Sequence, residues 1–157
     1  MAPRDRAQRF GRYELLRRIG AGGMGEVFLS RLPGLGGADK LCVVKKVLPN
    51  LTNDRGFVAR FVDEGKVVIH LSHGNIAQVF EMGDVDGEYF MAMEYVEGKT
   101  LAKVEDRLRE LGEVMTVELA LFVCIKLCEG LAYAHKKADP TGKALQIVHR
   151  DISPSNV

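Results

Sequence analysis

The sequence has no tryptophan, and its 157 residues include only three cysteines and five prolines. Cys42, Cys124 and Cys128 are too few and too irregularly spaced for a disulfide framework. Cys124 and Cys128 stand four apart in an apolar run, but no matching ligand pair exists elsewhere, so these two are expected as buried small hydrophobes. No apolar run approaches the roughly 18 residues that span a bilayer, and no signal-peptide core follows Met1. A reducing, cytoplasmic setting and no membrane contact are the expectations. Charge of one sign is missing too: 22 basic and 21 acidic side chains leave a net charge of +1, which gives no case for a nucleic-acid partner. The local exception, Arg4, Arg6, Arg9 and Arg12, reads as a solvated basic leader over 1–12.

What is present is an ordinary globular composition, 46% hydrophobic and 27% charged, in a length that suits about one domain. Its first part is strand-rich. Tyr13–Ile19 and Val27–Arg31 flank a glycine cluster, and Leu41–Leu48 forms a third strand ended by Pro49. A helix follows, capped by Asn53 or Asp54 and ended by Ser72–Asn75, with Phe57, Phe61 and Val68 near one face. Gly65 inside it costs about 1 kcal/mol against alanine. Ala77–Met82 and Tyr89–Tyr95 make a hairpin around Gly83–Gly87. From Thr100 the pattern is helical. Leu101, Val104, Leu108 and Leu111 form one stripe, and Thr116 opens a second helix running to about Ala138. Its middle, Leu119–Cys128, is apolar nearly all round, as in a helix buried on most sides. Asp139–Gly142 is a turn, and Gln146–Val148 a short strand.

Three motifs stand in order along this frame. Gly20-Ala21-Gly22-Gly23-Met24-Gly25-Glu26-Val27 is G-x-G-x-x-G-x-V, and a strand follows it where a dinucleotide site needs a helix. Glycines let backbone N–H groups approach phosphates closely. Lys45 and Lys46 come next on the third strand and point to opposite faces, and Lys45 is the candidate phosphate ligand. Glu64, on the flank of the Phe57/Phe61/Val68 face, is its candidate ion-pair partner, with Asp63 as rival. The third motif, His149-Arg150-Asp151-Ile152-Ser153-Pro154-Ser155-Asn156, is H-R-D-x-x-x-x-N, with Asp151 as candidate catalytic base and Asn156 as candidate magnesium ligand.

With Leu71–Ile76, Met93–Gly98 and Gly130–His135, these runs resemble bacterial eukaryotic-like Ser/Thr protein kinases of the protein kinase superfamily. The resemblance covers about Tyr13 to the last residue. It implies an α+β, protein-kinase-like fold. An antiparallel five-stranded N-lobe with one helix would occupy 13–94, a hinge 95–98, and the start of a helical C-lobe 99–157. It implies ATP and Mg2+ as cofactors and a protein substrate phosphorylated on Ser/Thr. By the same resemblance Ile19, Val27 and Val43 sandwich the adenine, Met93 is the gatekeeper, and the backbones of Glu94 and Val96 bond the adenine edge. Arg150 would pair with a phosphorylated loop.

Three departures from the family pattern stand out. Ser153 replaces the lysine usual two residues after the catalytic aspartate. Gly65 adjoins Glu64 and is expected to loosen the helix that carries it. The sequence ends one residue after Asn156, before any Asp-Phe-Gly segment, so little or no activity is expected of these 157 residues alone. The alternatives are a pseudokinase or scaffold module and a small-molecule kinase of the aminoglycoside type. The glycine loop and Arg150 argue against the latter.

Overall fold

The fold was taken from a computed structural model that describes residues 8–23, 25–139 and 141–157. The chain divides into two units. One runs up to His70 and resumes over Ala77–Tyr95; the other is Leu71–Ile76 with Val96–Val157.

The first unit is one antiparallel sheet of six strands in the order β1-β2-β3-β4-β6-β5. The strands are β1 (Gln8–Phe10), β2 (Tyr13–Gly22), β3 (Gly25–Leu32), β4 (Lys40–Val47), β5 (Val79–Val85) and β6 (Glu88–Glu94). The extra strand is β1, where the sequence suggested a solvated leader. Phe10 makes it one: its ring is buried edge-on against Phe90 at 5.4 Å and lies 4.6 Å from the Lys46 ammonium. Burying such a ring contributes roughly 1.5–3 kcal/mol. Arg12 pairs with Glu81. Arg4 and Arg6 lie outside the described residues.

Phe10, Tyr13, Leu15, Cys42, Val44, Phe90 and Ala92 form the core on one face of the sheet. Burial pushes the Cys42 thiol pKa up, as suits a packing role. The sheet curls so far that β2 meets β5. Tyr13 donates its phenol to Glu81, and a Cβ on Gly11 would lie 2.9 Å from Val85. The β5–β6 turn is tighter than expected: Asp86 and Gly87, at φ 53° and 83°, make a two-residue turn, and Gly83 to Val85 belong to β5.

Two helices complete this unit, α1 (Pro49–Thr52) and α2 (Arg55–Val68). Asp54 is the cap of α2, accepting from the Gly56 and Phe57 amides at 2.8 and 3.1 Å. The helix ends at Val68, four residues before Ser72. Gly65 is the buried residue of α2, and a Cβ there would lie 1.6 Å from Met82 Sδ. The glycine lets β5 approach the helix backbone, which explains its presence better than a loosened helix does.

The second unit carries α3 (Leu101–Glu110) and α4 (Val117–Lys136), capped by the side chains of Thr100 and Thr116. Leu71–Ile76 is tied to α4. Asn75 Nδ2 donates to Lys126 O at 2.8 Å and to Glu129 Oε2 at 3.1 Å, and the Ser72 amide donates to Tyr133 Oη at 3.2 Å. The apolar stretch of α4 is not enclosed: Leu121, Phe122 and Ile125 are each more than half exposed. Cys124 and Cys128 share that open flank, so they are exposed where burial was expected. No strand forms at Gln146–Val148, since Gln146 takes φ 51°, outside the extended region. Among the described residues no helix is long and apolar enough to cross a membrane.

Candidate active site

Strand register sorts the candidate residues of the sheet. Directly opposed residues of an antiparallel pair share a face. Val27 opposes Lys45, Lys45 opposes Met91, and Val43 opposes Met93. Val27, Val43, Lys45, Met91 and Met93 therefore line one face, opposite to the core. Val44, Ala92 and Phe90 point the other way with Lys46. Lys46 is committed there, with its side chain 14% exposed and its ammonium 2.8 Å from Glu88 Oε2. Of the two lysines, only Lys45 faces away from the core.

Lys45 opens into a cavity of about 260 Å³ that it shares with Phe57, Arg60, Phe61, Glu64 and Met91. The structure brings Lys45 and Glu64 to one cavity without pairing them: among the described residues they form no ion pair within 4.0 Å. Arg60, one helical turn before Glu64, is a second cation on the same wall. Asp63, the rival carboxylate, is turned outward to Lys66 at 3.1 Å.

The glycine loop is the β2–β3 turn, in which Gly22 pairs with Gly25. A Cβ at Gly22 or Gly23 would meet nothing within 4 Å, so the tip is open to a ligand. At Gly25 a Cβ would lie 2.2 Å from the Lys46 carbonyl oxygen, and no side chain fits. Met24 lies outside the described residues. Gly20 opposes Val27 and Ala21 opposes Glu26, while Ile19 falls in the irregularity between Arg18 and Gly20. The Glu26 side chain is on the core side of the sheet and pairs with Arg18 at 2.7 Å, so only its backbone borders the loop. Glu94 ends β6, its amide donating to Gln78 O at 2.8 Å. Val96, in the second unit, is exposed.

In that second unit the His149–Asn156 loop folds on itself. Asn156 Nδ2 donates to the Asp151 carbonyl and to Asp151 Oδ2, both at 2.9 Å, and the Asp151 amide donates to His149 Nδ1 at 3.3 Å. Arg150 takes φ 64°, an uncommon value for a residue with a side chain, and turns the chain between His149 and Asp151. The loop is moored by backbone. Leu101 and Ala102, the first two residues of α3, donate their N–H groups to Val157 O at 2.7 Å and Pro154 O at 2.8 Å. Helix N-termini leave such donors unsatisfied within the helix, and the loop supplies the acceptors. Nothing in the motif spacing announces this mooring.

The chain matches the family described as Protein kinase domain over residues 13–157. It belongs to the protein kinase family. Similar proteins include the tyrosine-protein kinase MasK of Myxococcus xanthus, 38% identical over 150 residues, covering 96% of this chain and 23% of MasK. The serine/threonine-protein kinase PknJ of Mycobacterium tuberculosis is 37% identical over 147 residues, covering 94% of this chain and 22% of PknJ. The chain thus spans less than a quarter of the length of these two relatives. Among solved structures, the PknI kinase domain of Mycobacterium tuberculosis superposes with a TM-score of 0.75 at 28% identity. That match covers 96% of this chain and 56% of the PknI chain. The kinase-like architecture read from the motifs is the architecture found, with six strands in place of five.

Proposed function

We propose that this chain is the nucleotide-gripping and catalytic-loop portion of an ATP-dependent protein kinase that phosphorylates Ser/Thr hydroxyls of a protein. The observation that carries the reading is the strand register, which turns Val27, Val43, Lys45 and Met93 to one face and leaves Lys46 on the other. Phosphoryl transfer asks a protein mainly for positioning and charge neutralisation. Open backbone at Gly22 and Gly23 covers the phosphates, and Lys45, steadied by Glu64, neutralises them. Ile19, Val27 and Val43 enclose the adenine ring, beside Met93 and the backbones of Glu94 and Val96. Asp151 accepts the proton of the attacking hydroxyl.

A magnesium ion would supply charge neutralisation at the transferring phosphate. Asn156 suits it: its amide nitrogen is engaged with Asp151, which leaves the side-chain oxygen for a hard cation. The acceptor is a polypeptide in a cytoplasmic setting.

The test is nucleotide titration in magnesium. Lys45→Met is expected to weaken ATP binding by about tenfold or more, and Lys46→Met to leave it within about twofold. Equal effects of the two substitutions overturn the reading. A second reading, a nucleotide-binding scaffold without transferase activity, draws on Ser153 and on the unpaired Lys45 and Glu64. Transfer of phosphate from ATP to a protein substrate by the longer protein would exclude it.

A further inference from the structure

Between α4 and the His149–Asn156 loop lies a short closed hairpin that the proposed chemistry leaves without a task. Ala138 and Ala144 form an isolated antiparallel bridge, and the Leu145 amide donates to Lys137 O at 2.9 Å. Asp139 holds the interior. Its Oδ1 accepts from the Thr141 amide at 2.8 Å, Thr141 Oγ1 at 2.6 Å and the Lys143 amide at 3.0 Å. These donors, the Thr141 hydroxyl first, keep its carboxyl below the usual range. Gly142, at φ 88°, closes the turn. The described residues of the segment are thus held in a defined turn by these bonds.

Its charge is one-sided. From Lys136 to Arg150 the cations are Lys136, Lys137, Lys143 and Arg150, against Asp139 as the single carboxylate. That carboxylate keeps its charge, held through Oδ1 by the hairpin's own donors, and the cations outnumber it. Among the described residues none of the four cations has an ion-pair partner; Lys137 donates instead to Tyr133 Oη at 3.1 Å. Lys136, Lys143 and Arg150 are exposed. Leu145 stands six residues before Asp151, so the hairpin's return arm lies at most about 21 Å from the proposed base. An extended peptide covers that span in about six residues.

We propose that this hairpin is a docking surface for acidic side chains of the acceptor polypeptide, within about six residues of the hydroxyl offered to Asp151. The proposal rests on the kinase reading for the identity of the acceptor. Uncompensated cations of this kind steer and orient anionic partners. A nucleic-acid occupant is disfavoured, because residues 136–150 contain no Phe, Tyr or Trp on which a base could stack.

The test is fluorescence anisotropy of the 157-residue chain with labelled peptides of about 15 residues, each bearing one serine with either glutamates or glutamines within about six positions of it. At about 50 mM salt the glutamate peptide is expected to bind about tenfold tighter, and the preference should collapse at about 300 mM. Charge reversal by Lys136→Glu with Lys143→Glu should abolish the preference, and the milder Lys136→Gln with Lys143→Gln should reduce it in a chain whose circular dichroism is unchanged. Equal binding of the two peptides, or a preference that survives both double substitutions, overturns the proposal. So does a single-stranded DNA that binds tighter than the glutamate peptide and depends on the same lysines. ATP titration of the same samples keeps the two readings apart. Loss of acid preference with ATP binding intact removes only the docking surface, whereas absence of ATP binding in the unaltered chain removes the proposed nucleotide grip.

Discussion

In the sheet unit Val44 and Ala92 are fully enclosed and Tyr13 is 1% exposed, whereas in the helical unit Leu121, Phe122 and Ile125 of α4 lie more than half exposed. The first unit is held by apolar side chains drawn from distant stretches of chain, Phe10 against Phe90 among them. The described ties of the second are mainly polar: Asn75 to α4, Ser72 to Tyr133, and the α3 amides to the Pro154 and Val157 carbonyls. Apolar burial at about 25 cal/mol per Å² makes a rigid platform for Lys45. Hydrogen bonds, each worth about 1 kcal/mol net, hold a loop in shape without enclosing it. The phosphate-gripping and proton-accepting parts of the proposed site therefore stand on foundations of different kinds.

The largest test of that contrast is a charge in the sheet core. Val44→Asp buries a carboxylate with no partner and is expected to cost more than about 4 kcal/mol, enough to abolish the urea-unfolding transition of the sheet unit. Next comes pH. Burial first, then donation to Glu81, pushes the Tyr13 phenol from its ordinary 10.0 up to about 12. The folded state thus favours the neutral phenol. Its contribution is fully present below pH 10 and is lost as pH rises towards 12, by up to about 2 kcal/mol. Stability measured against pH should show a decline in that window that Tyr13→Phe lacks.

Gly65 sharpens the comparison on a smaller scale. Gly65→Ala gains about 1 kcal/mol of helix propensity but displaces the flexible end of Met82, so its net effect should stay within about 1 kcal/mol. Gly65→Leu should cost about 1–3 kcal/mol by chemical denaturation, and Met82→Ala should recover part of it. The smallest effect belongs to the helical unit: Leu121→Ser should change stability by no more than about 0.5 kcal/mol and lower light scattering at high concentration. A loss comparable to that of Val44→Asp would erase the contrast.

The parts legible in the sequence are those whose signals are local. The glycine loop between two strands, the opposite faces of Lys45 and Lys46, and the helix starts at Thr100 and Thr116 each rest on a few adjacent residues. The missed parts depend on partners far along the chain. β1 exists because Phe10 meets Phe90, and Gly65 is a glycine because Met82 lies over it. The strand expected at Gln146–Val148 failed on backbone conformation, which the alternation of residue types does not encode.

The mooring of the His149–Asn156 loop has a consequence for how such a site diverges. Its anchors to α3 are main-chain carbonyls at Pro154 and Val157, which every amino acid carries. Residues such as Ser153 and Ser155 are therefore free to be exchanged by mutation while the loop keeps its path, so reactivity there can drift from lineage to lineage on an unaltered frame.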